Sequence, residues 1–264
     1  MLSAEQVAHF EAFGFVVLRQ AFSADETAEI SRVFDEVLAE ERQGRPFAGE
    51  KRQGVLGFVE QRPVLTRLVE CDTIFEAMEQ LLGPGFVWVG SDGNLYVGDT
   101  SWHSDTSDPT YRRIKVAFYM DPVTKDTGCL RVMPGSHRSP FHETLRALRQ
   151  VTDPAHTPYG VAARDLPCFP LESQPGDVVM FDQNTQHASF GGKTGRRMFT
   201  LNFAARPTAP EHDALLRKMY NGNVQFTLNE QNTRTGRVYT DEFLNSDHPR
   251  IRSMTDKLVE MGFR

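Results

Sequence analysis

Apolar side chains recur at helical spacing at the start of the chain, in Val7, Phe10 and Phe13. With Ser3 as N-cap they predict a helix over residues 3–13. Gly14 ends that helix, and Phe15-Val16-Val17-Leu18 reads as a short buried strand. Ser23 then opens a second helix, with Glu26 three residues on completing a capping box. Ile30, Val33, Phe34, Val37 and Leu38 form its inward stripe. Residues 43–62, rich in Gly, Arg and Gln, read as a loop. A further helix over 64–82 stops at the breaker Gly83-Pro84-Gly85.

Beyond that point the pattern changes to strands, over 86–97, 112–120, 129–133, 177–181 and 197–204, separated by clusters of Gly, Pro, Asp and Asn. Helices first and short strands after favour an α+β fold with a mainly β core, a β-sandwich or jelly roll. Residues 140–170 carry a brief helical pattern and then a Pro-rich loop long enough to be an active-site flap. The stretch 211–264 reads as helix, polar loop and terminal helix.

Composition narrows the function. A formal net charge of −6 argues against a nucleic-acid partner, which would call for a basic patch. No apolar run is long enough to span a bilayer, and the first residues lack the basic and apolar blocks of a secretory signal. Cys71, Cys129 and Cys168 are odd in number and without CxxC spacing, as expected of free thiols in a reducing, cytoplasmic setting.

The candidate chemistry lies in Trp102-His103-Ser104-Asp105. On a strand, His103 and Asp105 share a face, because side chains alternate with a period of two. His187, from a distant strand, would complete two imidazoles and one carboxylate around one ion. That facial set leaves positions open for cosubstrate and O₂, as in non-haem Fe(II) oxygenases. An HxD pair alone is a weak signal, and its surroundings carry the argument.

Four blocks, in order along residues 2–204, resemble the phytanoyl-CoA dioxygenase family of Fe(II)- and 2-oxoglutarate-dependent oxygenases. They are residues 2–19, ending Phe-Gly-Phe-Val-Val-Leu-Arg; Trp102-His103-Ser104-Asp105; Gly128 to Arg138; and Gly176 to Phe181, running on to His187 and Arg196. The resemblance implies a single domain over 1–264 with a double-stranded β-helix, a cupin-like jelly roll flanked by helices. Its parts would be a helical region over 1–83, a core over about 86–206 and an extension over 207–264. It also implies His103, Asp105 and His187 as iron ligands, and 2-oxoglutarate and O₂ as cosubstrates, with ascorbate stimulating. The expected reaction is hydroxylation of a small molecule, releasing succinate and CO₂. Asp105 argues against the halogenases, which have a small residue there. The alternatives are desaturation, epimerisation or ring formation with the same cofactors, and a non-redox cupin-like metal protein.

The far carboxylate of 2-oxoglutarate calls for a guanidinium, and two stand together. Arg196 shares strand parity with Met198, Thr200 and Asn202, a set suited to a partly polar interior. Arg197 shares parity with Phe199, Leu201 and Phe203. Parity and the resemblance favour Arg196, with Arg197 the alternative. Ser189 is expected either to support the cosubstrate or to cap a turn, and Asn94 to reach the cosubstrate from a neighbouring strand. Arg113, Lys115, Ala117 and Tyr119 share one face, which places Lys115 either in the barrel, toward an anion, or on an exposed edge. His137 reads as structural, while His9, His142, His156, His212 and His248 default to the surface.

Overall fold

The computed structural model describes residues 1–106, 108–150, 157, 159–229 and 237–264. Helix α1 (Ala4–Phe13) starts at Ser3, whose Oγ accepts from Gln6 N while Gln6 Oε1 accepts from Ser3 N. Strand β1 (Phe15–Leu18) follows Gly14 directly. Helix α2 (Ala24–Glu41) has the expected box, with Ser23 Oγ accepting from Glu26 N and Glu26 Oε2 from Ser23 N. These reciprocal bonds satisfy two helix-end donors that would otherwise have no partner.

Two expectations fail in the next stretch. The loop read over 43–62 contains strand β2 (Gln53–Leu56), too short and too rich in Gly and Gln to show alternation. The single helix read over 64–82 is two, α3 (Pro63–Glu70) and α4 (Asp72–Leu82), with Cys71 extended between them. The break aims Leu65, Leu68 and Val69, and separately Ile74, Ala77, Met78 and Leu81, into the core.

The strands that follow are β3 (Val87–Tyr96), β4 (Thr100–His103), β5 (Arg113–Tyr119) and β6 (Leu130–Val132). After the short helix α5 (Phe141–Thr144) come β7 (Phe169–Leu171), β8 (Val178–Asp182), β9 (His187–Ser189) and β10 (Arg196–Ala204). Helices α6 (Pro210–Asn229), α7 (Asp241–Leu244) and α8 (Pro249–Glu260) end the fold. Every strand read from alternation recurs with ends shifted by one residue at most. Strands β4, β7 and β9 are absent from the elements read by alternation, although His103 and His187 were expected on strands.

The strands form two antiparallel sheets, a six-stranded one in the order β1-β8-β5-β10-β3-β2 and a four-stranded one in the order β4-β9-β6-β7. This is a jelly roll, in which each sheet mixes strands distant in sequence. The outer face of the larger sheet packs on the helices through Phe34, Phe58, Phe118 and Phe199, with Phe118 and Phe199 rings stacked 4.5 Å apart. Burying each such ring contributes roughly 1.5–3 kcal/mol. Gly93 on β3 permits this, since a Cβ there would lie 2.3 Å from the Phe58 ring. Around β4, a smaller apolar cluster joins Trp102 and Phe190 to Leu145, Leu148, Ala163 and Leu166. Trp102 Nε1 donates to the Ala163 carbonyl at 2.6 Å, so both flanks of the expected flap are tied to the metal-motif strand. The middle of that flap, including His156, lies outside the described residues. No helix among the described residues is long and apolar enough to cross a membrane.

Candidate active site

His103 ends β4 and His187 begins β9, and the two are direct antiparallel partners. A bulge in β4 falls between Thr100 and His103, and beyond the strand Asp105 N donates to the Gln183 carbonyl at 2.9 Å. Adjacent strands thus bring together residues far apart in sequence. The two imidazole centroids are 4.1 Å apart, and each Nε2 lies 3.7 Å from Asp105 Oδ1. One donor atom from each residue falls within 4.8 Å of the others.

Hydrogen bonds orient these donors. His103 Nδ1 donates to the Ser101 carbonyl at 2.8 Å and His187 Nδ1 to the Thr185 carbonyl at 2.9 Å. A carbonyl can only accept, so each Nδ1 carries a proton and each Nε2 is turned toward the cluster. Burial, helped by the neighbouring His103, pushes the His187 imidazole down to about 3, so it is neutral at physiological pH. Burial alone would raise the Asp105 carboxyl, but Lys115 and the two histidines hold it well below the usual carboxylate range. Lys115 Nζ lies 2.7 Å from Asp105 Oδ2, leaving Oδ1 toward the imidazoles. Two imidazoles and one ionised carboxylate converging on a point suit a divalent cation such as Fe(II).

A cavity of about 380 Å³ opens from this cluster and reaches Arg196. Arg196 is buried, and its Nε and Nη1 have no hydrogen-bond partner among the described residues. The guanidinium occupies a slot that requires glycine: a Cβ on Gly192 would lie 1.6 Å from Nη1 and one on Gly128 2.1 Å from it. Its charge sits 5.3 Å from the centre of the Tyr96 ring. A buried cation without a counter-charge is expensive, and a carboxylate delivered through this cavity would relieve it. The donor cluster at one end and Arg196 at the other suit a keto-dicarboxylate.

Arg197 points the other way. It bonds Asp121 Oδ1 at 2.8 Å, Asp35 Oδ2 at 2.8 Å and Ser31 Oγ at 2.9 Å, tying β10 to α2. Ser189 lines the cavity and donates Oγ to the Gly128 carbonyl at 2.9 Å, bracing one wall of the arginine slot. Lys115 is in the interior, paired with Asp105, and not on an exposed edge. Asn94 is fully buried and does not line the cavity; its Oδ1 accepts from Arg52 Nε at 2.8 Å and its Nδ2 donates to Asp92 Oδ1 at 2.7 Å. Asn94 therefore holds Arg52, which does line the cavity, over the Tyr96 ring at 4.5 Å. Sequence reasoning missed Arg52, which lies one residue before β2 in the stretch read as loop. His137 is structural, with Nε2 3.3 Å from the Glu11 carbonyl. His142, expected at the surface, is buried with Nδ1 3.1 Å from the Ser136 carbonyl.

Comparison with known proteins agrees with this geometry. The family model described as phytanoyl-CoA dioxygenase (PhyH) matches residues 10–199. The ectoine dioxygenase of Sphingopyxis alaskensis is 26% identical over 231 residues, covering 73% of this chain and 72% of that protein. The crystal structure of EctD from S. alaskensis with bound Fe superposes with a TM-score of 0.60 at 26% identity, covering 77% of each chain. The crystal structure of that protein with 2-oxoglutarate and 5-hydroxyectoine gives 0.59 at 26% identity, covering 77% of this chain and 76% of that one. The chain belongs to the phytanoyl-CoA dioxygenase (PhyH) family, and is a non-haem iron, 2-oxoglutarate-dependent dioxygenase.

Proposed function

We propose that the protein hydroxylates a small polar metabolite in the cytoplasm, as one domain spanning residues 1–264, with iron held by His103, Asp105 and His187 and 2-oxoglutarate anchored on Arg196. The observation that carries this reading is that a buried guanidinium, whose Nε and Nη1 have no hydrogen-bond partner among the described residues, shares one cavity with a convergent His-Asp-His cluster. A non-redox cupin-like protein has no use for that arginine. Iron bound with 2-oxoglutarate and O₂ supplies the oxidant that replaces a substrate C–H by C–OH, with succinate and CO₂ released. The chain contributes orientation and exclusion of water. The two Nδ1–carbonyl bonds fix the imidazole rings, and Lys115 fixes the Asp105 carboxylate. Met198, Leu130 and Phe181 give the cavity apolar wall, and Ser189 with Gly128 keeps the Arg196 fork in line for two parallel bonds to a carboxylate.

The test is succinate release across a panel of metabolites with Fe(II) and ascorbate. Turnover that needs iron and 2-oxoglutarate, with a product heavier by one oxygen, is the expected result. Undiminished turnover in the Asp105→Ala protein would overturn it.

A further inference from the structure

A second cavity, of about 250 Å³, lies on the other side of Asp105. It shares Asp92, Asp105 and Lys115 with the first but lacks Arg196 in its wall. Its far side is made by Arg113, Gln183, Asn202 and, from α6, Met219. Arg113 is the unexplained member. It is 7% exposed, its Nε has no hydrogen-bond partner, and its only side-chain bond among the described residues runs from Nη1 to the Met219 sulfur. No carboxylate comes within ion-pair distance of it among the described residues, whereas Lys115, two residues along the same face, is paired with Asp105. Thioether sulfur is a weak acceptor and cannot offset the burial of a full charge.

We propose that this cavity is the substrate chamber and receives a small molecule bearing one carboxylate, with the Arg113 guanidinium as its anchor. The inference rests on the reading of the neighbouring cavity as the cosubstrate site and adds the substrate class. The volume lies below the roughly 300–1,000 Å³ of drug-sized ligand pockets, so the occupant is compact. Its charge is single because, among the described residues, the wall offers one cation without an ion pair; a phosphate dianion would bring a second charge that none of them meets. Gln183 and Asn202, whose amides already bond each other at 2.9 Å, give the chamber polar wall beside the apolar Val89 and Val238. Asp105 lies on the boundary of both cavities, so a molecule held by Arg113 presents its other end to the metal cluster.

The test uses the anaerobic Fe(II) enzyme saturated with 2-oxoglutarate, so that Arg196 is already engaged. Acetate, acetamide and inorganic phosphate are titrated at constant ionic strength, and binding is followed by the thermal denaturation midpoint. Acetate should raise the midpoint saturably and acetamide should not. The apparent acetate affinity should fall roughly tenfold or more in Arg113→Gln, with Arg113→Lys between the two, as the loss of a charge-assisted fork implies. Equal responses to acetate and acetamide, an unchanged response in Arg113→Gln, or tighter binding of phosphate than acetate would overturn the assignment. If Arg113→Gln does not fold, the wild-type contrast and Arg113→Lys still decide. Failure of 2-oxoglutarate to bind at all would instead bring down the proposed function. Its binding without an Arg113-dependent acetate response would bring down the substrate chamber alone.

Discussion

The larger sheet has strands of up to ten residues lying under helices, with Phe118, Phe199, Leu201 and Phe203 almost wholly buried on its outer face. The smaller sheet is built from strands of three or four residues and supplies both histidines. Long strands with a continuous apolar face hold the fold; short ones, whose ends project side chains into the opening, hold the chemistry. Strand β10, inside the larger sheet, faces both ways: Phe199, Leu201 and Phe203 join the core while Arg196, Met198 and Thr200 line the cavity. The adjacent pair Arg196 and Arg197 condenses the contrast into two residues of the same type, one aimed at a ligand and the other bonded to Asp35 and Asp121.

The sharpest break of this division is at the smaller sheet. His187→Ala should remove iron-dependent turnover by more than the 10–100-fold typical of changes around a metal site. Its denaturation midpoint without metal should stay near that of the parent, as iron titration beside thermal melts would show. In the larger sheet, Phe199→Ala should cost about 3–5 kcal/mol of stability in urea denaturation while each folded molecule still takes up one iron. The arginine pair gives the next effect: Arg196→Gln should raise the KM for 2-oxoglutarate by roughly 10–100-fold, the loss of a charge-assisted pair. Arg197→Gln should leave that KM unchanged and lower stability by about 1 kcal/mol. The smallest effect expected is at Asp177, which accepts from Gln20 N, Gln174 N and Arg19 Nη1. Burial alone would raise its carboxyl, but these donors hold it below the ordinary carboxylate range. Its contribution is therefore complete at neutral pH and is lost as pH falls through and below about 4. Asp177→Asn should cost about 1 kcal/mol at pH 7 and flatten the acid limb of the stability curve.

Much of this division was legible in the chain. The alternation in 196–204 favoured Arg196 over Arg197 as the inward arginine, and that in 113–119 put Lys115 and Tyr119 on one face without deciding between interior and edge, because parity sets the two faces of a strand and not which of them is buried. Ser3 and Ser23 marked helix starts because a capping hydroxyl acts within three residues. The break at Cys71 and strand β2 were not legible, since one is imposed by packing and the other by a ladder on β3. Arg52 and the buried His142 were missed for the same reason.

What the sequence by itself determined is local: periodicity, caps, turn positions and an HxD pair followed by a distant histidine. The tertiary structure alone decided which groups lack partners. Arg113, Arg196 and Arg197 are indistinguishable as letters. Only the folded chain puts carboxylates against the last and leaves the first two buried with none in ion-pair reach among the described residues, because counter-charges arrive from strands and helices far away in sequence.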